Sequence, residues 1–136
     1  MGETRYYTSQ EAEAAFYAAF QRKDLGAMMT VWDDSADIVC VHPGGRMLVG
    51  ADAVRASWQD IFQRGPMLQF IVDERQRAED GELALHVVHE HIRVGGEMAP
   101  APVLATNAYR RTAHGWRMIL HHASPAPVGD GPTTVH

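Results

Sequence analysis

The chain has 136 residues, 46% of them apolar and 21% charged, with a net charge of −5. That length fits one domain with a core large enough to need no disulfide or structural metal. The acidic balance, without a Lys/Arg cluster, excludes nucleic acid and anionic membranes as expected partners. The single cysteine, Cys40, excludes an internal disulfide. Met1 to Gln10 lacks an apolar signal core and no apolar run is long enough to span a bilayer, so a reducing cytoplasm is the expected location.

Thr8-Ser9-Gln10-Glu11 is a capping box, in which Thr8 accepts from the Glu11 backbone and the Glu11 carboxylate reaches back. It predicts a helix to about Lys23, with Ala12, Ala15, Phe16, Ala19 and Phe20 as one apolar stripe. Asp24 can cap a shorter helix whose Leu25, Met28, Met29 and Trp32 share a face. The period then changes to two. Ile38 to His42 reads as a strand stopped by Pro43-Gly44-Gly45, and Arg46 to Val49 as a short return strand. Ala51 to Arg64 reads as a third helix, with Val54, Trp58, Ile61 and Phe62 buried and Gly65 as its stop. Met67 to Ala78, Glu82 to Val94, Val103 to Thr112 and Trp116 to Ser124 read as long strands. Asp80-Gly81 and His114-Gly115 are hairpin signals, and Gly95 to Pro102 suits a loop. Beyond Ser124 a Pro- and Gly-rich tail, ending in His136, has little to bury.

Helices followed by a meander of strands predict an α+β fold. Three helices from the N-terminal half cover one face of a curved mixed, mostly antiparallel sheet. They leave a cone with an open mouth, in a single domain over 1–136 with its ordered core at about 8–125. An open mouth of this kind suits a small-molecule ligand.

Eight histidines stand out, most of them in predicted strands. Side chains alternate faces along a strand. In the last strand Trp116, Met118, Leu120 and His122 share one face, and Arg117, Ile119 and His121 the other. Between Glu82 and Val94, Leu85, Val87, His89 and His91 share a face, opposite His86, Val88, Glu90 and Ile92. The bulky apolar rows read as pocket walls, which places Leu120, His122, His89 and His91 inside. Asn107 joins Ala105 and Tyr109, and His42 joins Ile38 and Cys40.

The candidate site is therefore His42, Asn107 and His122 for chemistry, with Phe16, Tyr17, Trp58, His89, His91 and Leu120 as lining. Trp32, Trp58 and Trp116 also read as core. His86, His114 and His121 read as structural or surface residues. Three imidazoles from different strands could bind zinc, but no ligand pair has a spacing such as H-E-x-x-H, so no metal or cofactor is expected. Cys40 reads as a small buried hydrophobe, with a Cys40–His42 nucleophile pair as the alternative.

Three segments carry a family resemblance. They are Val31-Trp32 through Val41-His42-Pro43-Gly44-Gly45; Leu48-Val49-Gly50 with Val54, Ser57-Trp58 and Ile61-Phe62; and Thr106-Asn107-Ala108-Tyr109-Arg110-Arg111 with Gly115-Trp116-Arg117-Met118 and His121-His122-Ala123-Ser124. Together they resemble the SnoaL-like, ketosteroid isomerase-like branch of the nuclear transport factor 2-like superfamily, which implies a cystatin-like cone. The last segment also resembles the association domain of calcium/calmodulin-dependent protein kinase II. The resemblance implies His42 at the position of the isomerase's general-base Asp, and Asn107 at that of its oxyanion-binding Asp. Phe16 falls at the position of its oxyanion-binding Tyr, with Tyr17 one residue off.

It further implies an isomerase, cyclase or lyase acting on a small carbonyl compound. His42 would be the base, Asn107 would polarise the carbonyl, and His122 or His89 would donate. The alternative is a non-catalytic ligand-binding or homo-oligomerisation module. In either case the resemblance implies a homodimer through the outer face of the sheet, with His86, Glu90 and His121 near that surface.

Overall fold

The computed structural model describes residues 4–127. Helix α1 (Ser9–Arg22) begins at Thr8, whose hydroxyl accepts from the Glu11 N–H at 3.0 Å, and ends at Lys23, in the left-handed region at φ 55°. Asp24 caps α2 (Leu25–Val31) through the Ala27 N–H. Strands β1 (Val39–Val41) and β2 (Leu48–Val49) form a small antiparallel pair before α3 (Ala51–Arg64). Gly65 ends α3 for a reason of space rather than handedness. Its φ is −81°, and an added Cβ would lie 2.7 Å from the Ile61 carbonyl oxygen.

The rest is sheet: β3 (Leu68–Glu79), β4 (Leu83–Val94), β5 (Glu97–Met98), β6 (Val103–Thr112) and β7 (Gly115–Pro125). The order is β2-β1-β7-β6-β4-β3, with β5 on β4, inside the stretch expected as loop. Among the described strands β1 runs parallel to β7 and the other strand pairs are antiparallel. The Asp80 carboxylate fixes the β3–β4 turn by accepting from the Glu82 and Leu83 N–H groups, each at 2.8 Å, which pulls its pKa down.

Three helices on a mixed, mostly antiparallel sheet match the expected fold class. The N–H of Ala126 still bonds the Pro102 carbonyl. The rest of the expected tail, residues 128–136 with His136, lies outside the described residues. Among the described residues no helix is long and apolar enough to cross a membrane.

The α1 stripe packs on the inner face of the sheet, where Phe16, Trp58, Met118 and Tyr109 are fully buried. Two β-bulges interrupt the alternation of side chains. Against β4, strand β3 carries the extra residue Arg75, and against β6, strand β7 carries the extra residue Ile119. A bulge gives one strand two residues against one, so every side chain beyond it changes face relative to strict alternation.

Candidate functional site

The helix covering the sheet is not uniformly apolar. Ser9, Glu13 and Tyr17 recur every fourth residue, which on a helix is one stripe, and this stripe meets three inward-facing sheet residues. Register aligns them: Asn107 of β6 lies between His86 of β4 and His121 of β7. All three are 0–1% exposed. Buried polar groups need partners, and the hydrogen bonds supply them in a definite order.

The Asn107 amide donates to the Tyr17 hydroxyl at 3.0 Å, and Tyr17 donates to Glu90 Oε2 at 2.6 Å. The other Asn107 atom, its carbonyl oxygen, lies 2.6 Å from His121 Nδ1. Because that oxygen can only accept, His121 carries its proton on Nδ1. Glu13 collects further donors: Tyr109 at 3.3 Å, His86 Nδ1 at 2.9 Å and, at 3.5 Å, the same Asn107 amide. His86 Nε2 then meets Ser9 Oγ at 3.0 Å, and Ser9 Oγ lies 2.8 Å from the Glu79 carboxylate.

Burial sets the charge states. Desolvation pushes the Glu90 carboxyl up to about 7, against the hydrogen bond from Tyr17 and with some help from the Glu13 charge. Desolvation also brings His121 down to about 3, with smaller contributions from His42 and His122. His121 is therefore a neutral imidazole at any ordinary pH. Tyr17 and Tyr109 are held protonated, first by burial and then by nearby carboxylates.

His42 stands at the end of β1, at the rim of this interior. Its ring meets Trp58 edge-on, with centroids 4.8 Å apart, and lies 6.4 Å from the His121 ring. Ser57 donates its hydroxyl to the Val54 carbonyl at 2.7 Å, which leaves its oxygen free to accept from His42 Nε2, 3.0 Å away. That fixes the proton on Nε2 and the lone pair on Nδ1. Burial lowers the His42 pKa, so the uncharged base form holds at neutral pH. Cys40 Sγ is 3.6 Å from His42 Nε2, but burial pushes its thiol up to about 12. Without a thiolate the Cys–His nucleophile reading fails, and Cys40 is the fully buried small side chain expected of it.

His42, Asn107, Phe16, Tyr17 and Trp58 thus come together on the inner side. His89, His91, Leu120 and His122 do not. On β4 the expected alternation holds, but its apolar row faces outward. The residues facing α1 are Ala84, His86, Val88 and Glu90, while Leu83 and Leu85 are 49% and 40% exposed on the other face. On β7 the bulge at Ile119 is the cause: Met118 and His121 both point inward, and His122 is exposed beside Thr106 and Val41. His86, Glu90 and His121 are accordingly buried inside, not near the outer surface.

Asn107 is reached, but its amide is spent on Tyr17, Glu13 and His121, so it orients its neighbours. The expected hollow is also filled. Phe16, the Phe16–Tyr17 ring pair, Trp58 and Met118 occupy the space between α1, α3 and the sheet. His86, His121, Glu90, Glu13, Ser9 and Ser57 were missed by the sequence reading. The signal that could have found two of them, Ser9 and Glu13, is the polar Ser9–Glu13–Tyr17 spacing on an otherwise apolar helix face.

Comparison with known proteins agrees with this architecture. The chain is 38% identical, with a TM-score of 0.88, to a Thiobacillus denitrificans structure assigned as a calcium/calmodulin-dependent protein kinase type II association domain, over 92% of this chain and 100% of that one. A Streptomyces avermitilis structure assigned as a dehydratase of the NTF2-like family is 33% identical, with a TM-score of 0.79, over 88% of this chain and 94% of that one. F-box protein SKIP8 of Arabidopsis thaliana is 26% identical over 99% of this chain, which spans only 58% of that protein's length. The SnoaL-like domain model matches residues 10–129, and the chain belongs to that family.

Proposed function

We propose that the domain is an acid–base enzyme of isomerase, cyclase or lyase type acting on a small carbonyl compound, with His42 as its base. The observation that carries this reading is the pairing of His42 with Trp58. Trp58 is fully buried, and its indole N–H has no hydrogen-bond partner among the described residues, beside a neutral imidazole whose Nδ1 lone pair meets the Cys40 thiol at 4.0 Å. A buried donor without a partner costs about 1–3 kcal/mol, and a carbonyl oxygen is an acceptor that would remove the cost. His42 Nδ1 then takes a proton from the carbon next to that carbonyl, and the Trp58 N–H stabilises the oxyanion. Returning the proton to a different carbon is isomerisation; loss of a β-hydroxyl as water is dehydration. The 33%-identical relative assigned as a dehydratase lies in the same chemical class. The Asn107–His121–Tyr17 chain acts as the rigid floor, and a ligand enters by displacing aromatic side chains at the half-buried His42 rim.

The test is deuterium incorporation α to the carbonyl of small ketones and 2-hydroxy or 3-hydroxy acids, followed by NMR in deuterated water. His42→Gln is expected to slow the exchange at least about 100-fold. Equal rates in wild type and His42→Gln would remove the assignment.

A second property has its own observation. Ile71, Leu83 and Leu85 are 58%, 49% and 40% exposed on the outer face, where a hollow of about 460 Å³ is lined by Leu83, Leu85, Ala108 and Ile119. We infer that this face pairs two copies, as the resemblance implied. The 38%-identical relative is assigned as an association domain, which supports assembly. Leu85→Asp is expected to halve the mass measured by light scattering at micromolar protein; an already monomeric wild type would end the inference.

A further inference from the structure

We propose that Asp73, His89 and His91 form a divalent transition-metal site on the outer face of the sheet, separate from the His42 site. The argument starts from register. His89 and His91 are two apart on β4, so their side chains leave the strand on the same side, and Asp73 of β3 lies directly across from His89. One ligand atom from each of the three lies within 4.8 Å of the other two. The two imidazole rings stand nearly perpendicular with centroids 6.0 Å apart, and His91 Nε2 is 4.0 Å from the Asp73 carboxylate.

Ligands bound to one zinc ion sit at about 2.0–2.2 Å from it, hence a little over 3 Å from one another. His89 is buried and supplies the fixed point. Asp73 and His91 are half-buried, with side chains 40% and 31% exposed, so modest rotations of these two close the remaining gap. Arg75 Nη1 bonds Asp73 Oδ2 at 3.1 Å, the same oxygen that lies 4.0 Å from His91 Nε2, so the ion shares this carboxylate with Arg75. Its positive charge lowers affinity but also orients the carboxylate, as outer partners of metal ligands do.

Two imidazoles and one carboxylate suit zinc, cobalt or nickel rather than magnesium or calcium, which prefer all-oxygen shells. Three protein ligands leave a fourth tetrahedral position, and because Ile71 lies across from His91 in register, that position faces the surface inferred to pair two copies and takes water or a group from the second copy. The site is independent of the His42 chemistry, because alternation puts His89 and His91 on the face opposite His86 and Glu90.

The probe is cobalt(II) or zinc(II) added to the full chain. One equivalent of cobalt is expected to give the visible absorption of a four-coordinate ion, and calorimetry should give one zinc per chain. Asp73→Asn and His91→Gln lie at half-buried positions and keep the fold testable by circular dichroism; each should weaken binding at least about tenfold. His122→Ala, on the same face but outside the cluster, should leave it unchanged. Absence of a one-to-one complex overturns the site, as does binding that survives both substitutions or is lost with His122.

Discussion

On β4, the side chains facing α1 include His86 and Glu90, while those facing away include Leu83 and Leu85. The inner face of the sheet is thus the polar one at its centre, and the outer face carries the exposed aliphatics. The inner imidazoles and carboxylates are buried at tolerable cost because each has an aligned partner, most of them on a single helix stripe of Ser9, Glu13 and Tyr17. The outer aliphatics have no such cover among the described residues. Burial of polar groups with full hydrogen bonding marks a site that is built; exposure of an apolar row marks a surface that another copy can cover.

The largest expected effect of breaking this contrast falls on His121. His121→Ala removes a fully buried ring from the Phe16 and Trp58 packing and leaves the Asn107 carbonyl oxygen without its donor. A loss of about 2–4 kcal/mol in urea unfolding is expected from the cavity and the orphaned acceptor together. A smaller and more diagnostic effect concerns pH. For Glu90, pushed up to about 7, the folded state holds a proton that the unfolded chain releases near 4.5, so this group's contribution falls as pH rises between those values. For His121, brought down to about 3, the contribution is present above 6.5 and is lost as pH falls toward 3. Between pH 4.5 and 6.5 the two slopes oppose each other and nearly cancel. Glu90→Gln removes one of them, so its stability should rise across that window by up to about 1.4 kcal/mol per pH unit, where the wild type stays nearly flat. Urea midpoints at pH 4.5 and 6.5 measure this. The smallest effect belongs to His122→Ala, expected within about 0.5 kcal/mol of wild type because that side chain is exposed.

Much of this architecture was legible in the sequence. The capping box at Thr8, the apolar stripes of α1 and α3 and the Asp80-Gly81 turn are local signals, and each element formed where its signal lay. His42, Asn107, Tyr17 and Trp58 were also placed on the correct side. The inversion was not legible for two different reasons. On β4 the pattern alone cannot say which of two alternating rows faces the helices; only the matching polar stripe on α1 decides it. On β7 a single inserted residue, Ile119, exchanges His121 for His122, and a bulge leaves no trace in periodicity. The Asp73–His89 pairing was hidden for a third reason, since cross-strand register is fixed by the whole β3–β4 ladder and its bulge at Arg75.

The inward turn of His121 can be read directly by nitrogen-15 NMR of its imidazole ring across pH 4 to 8. His121 is expected to stay neutral, with its proton on Nδ1, down to pH 4. Titration of His121 near 6.5, or a proton on its Nε2 instead, would contradict the inward turn at Ile119 and with it the buried chain through Asn107.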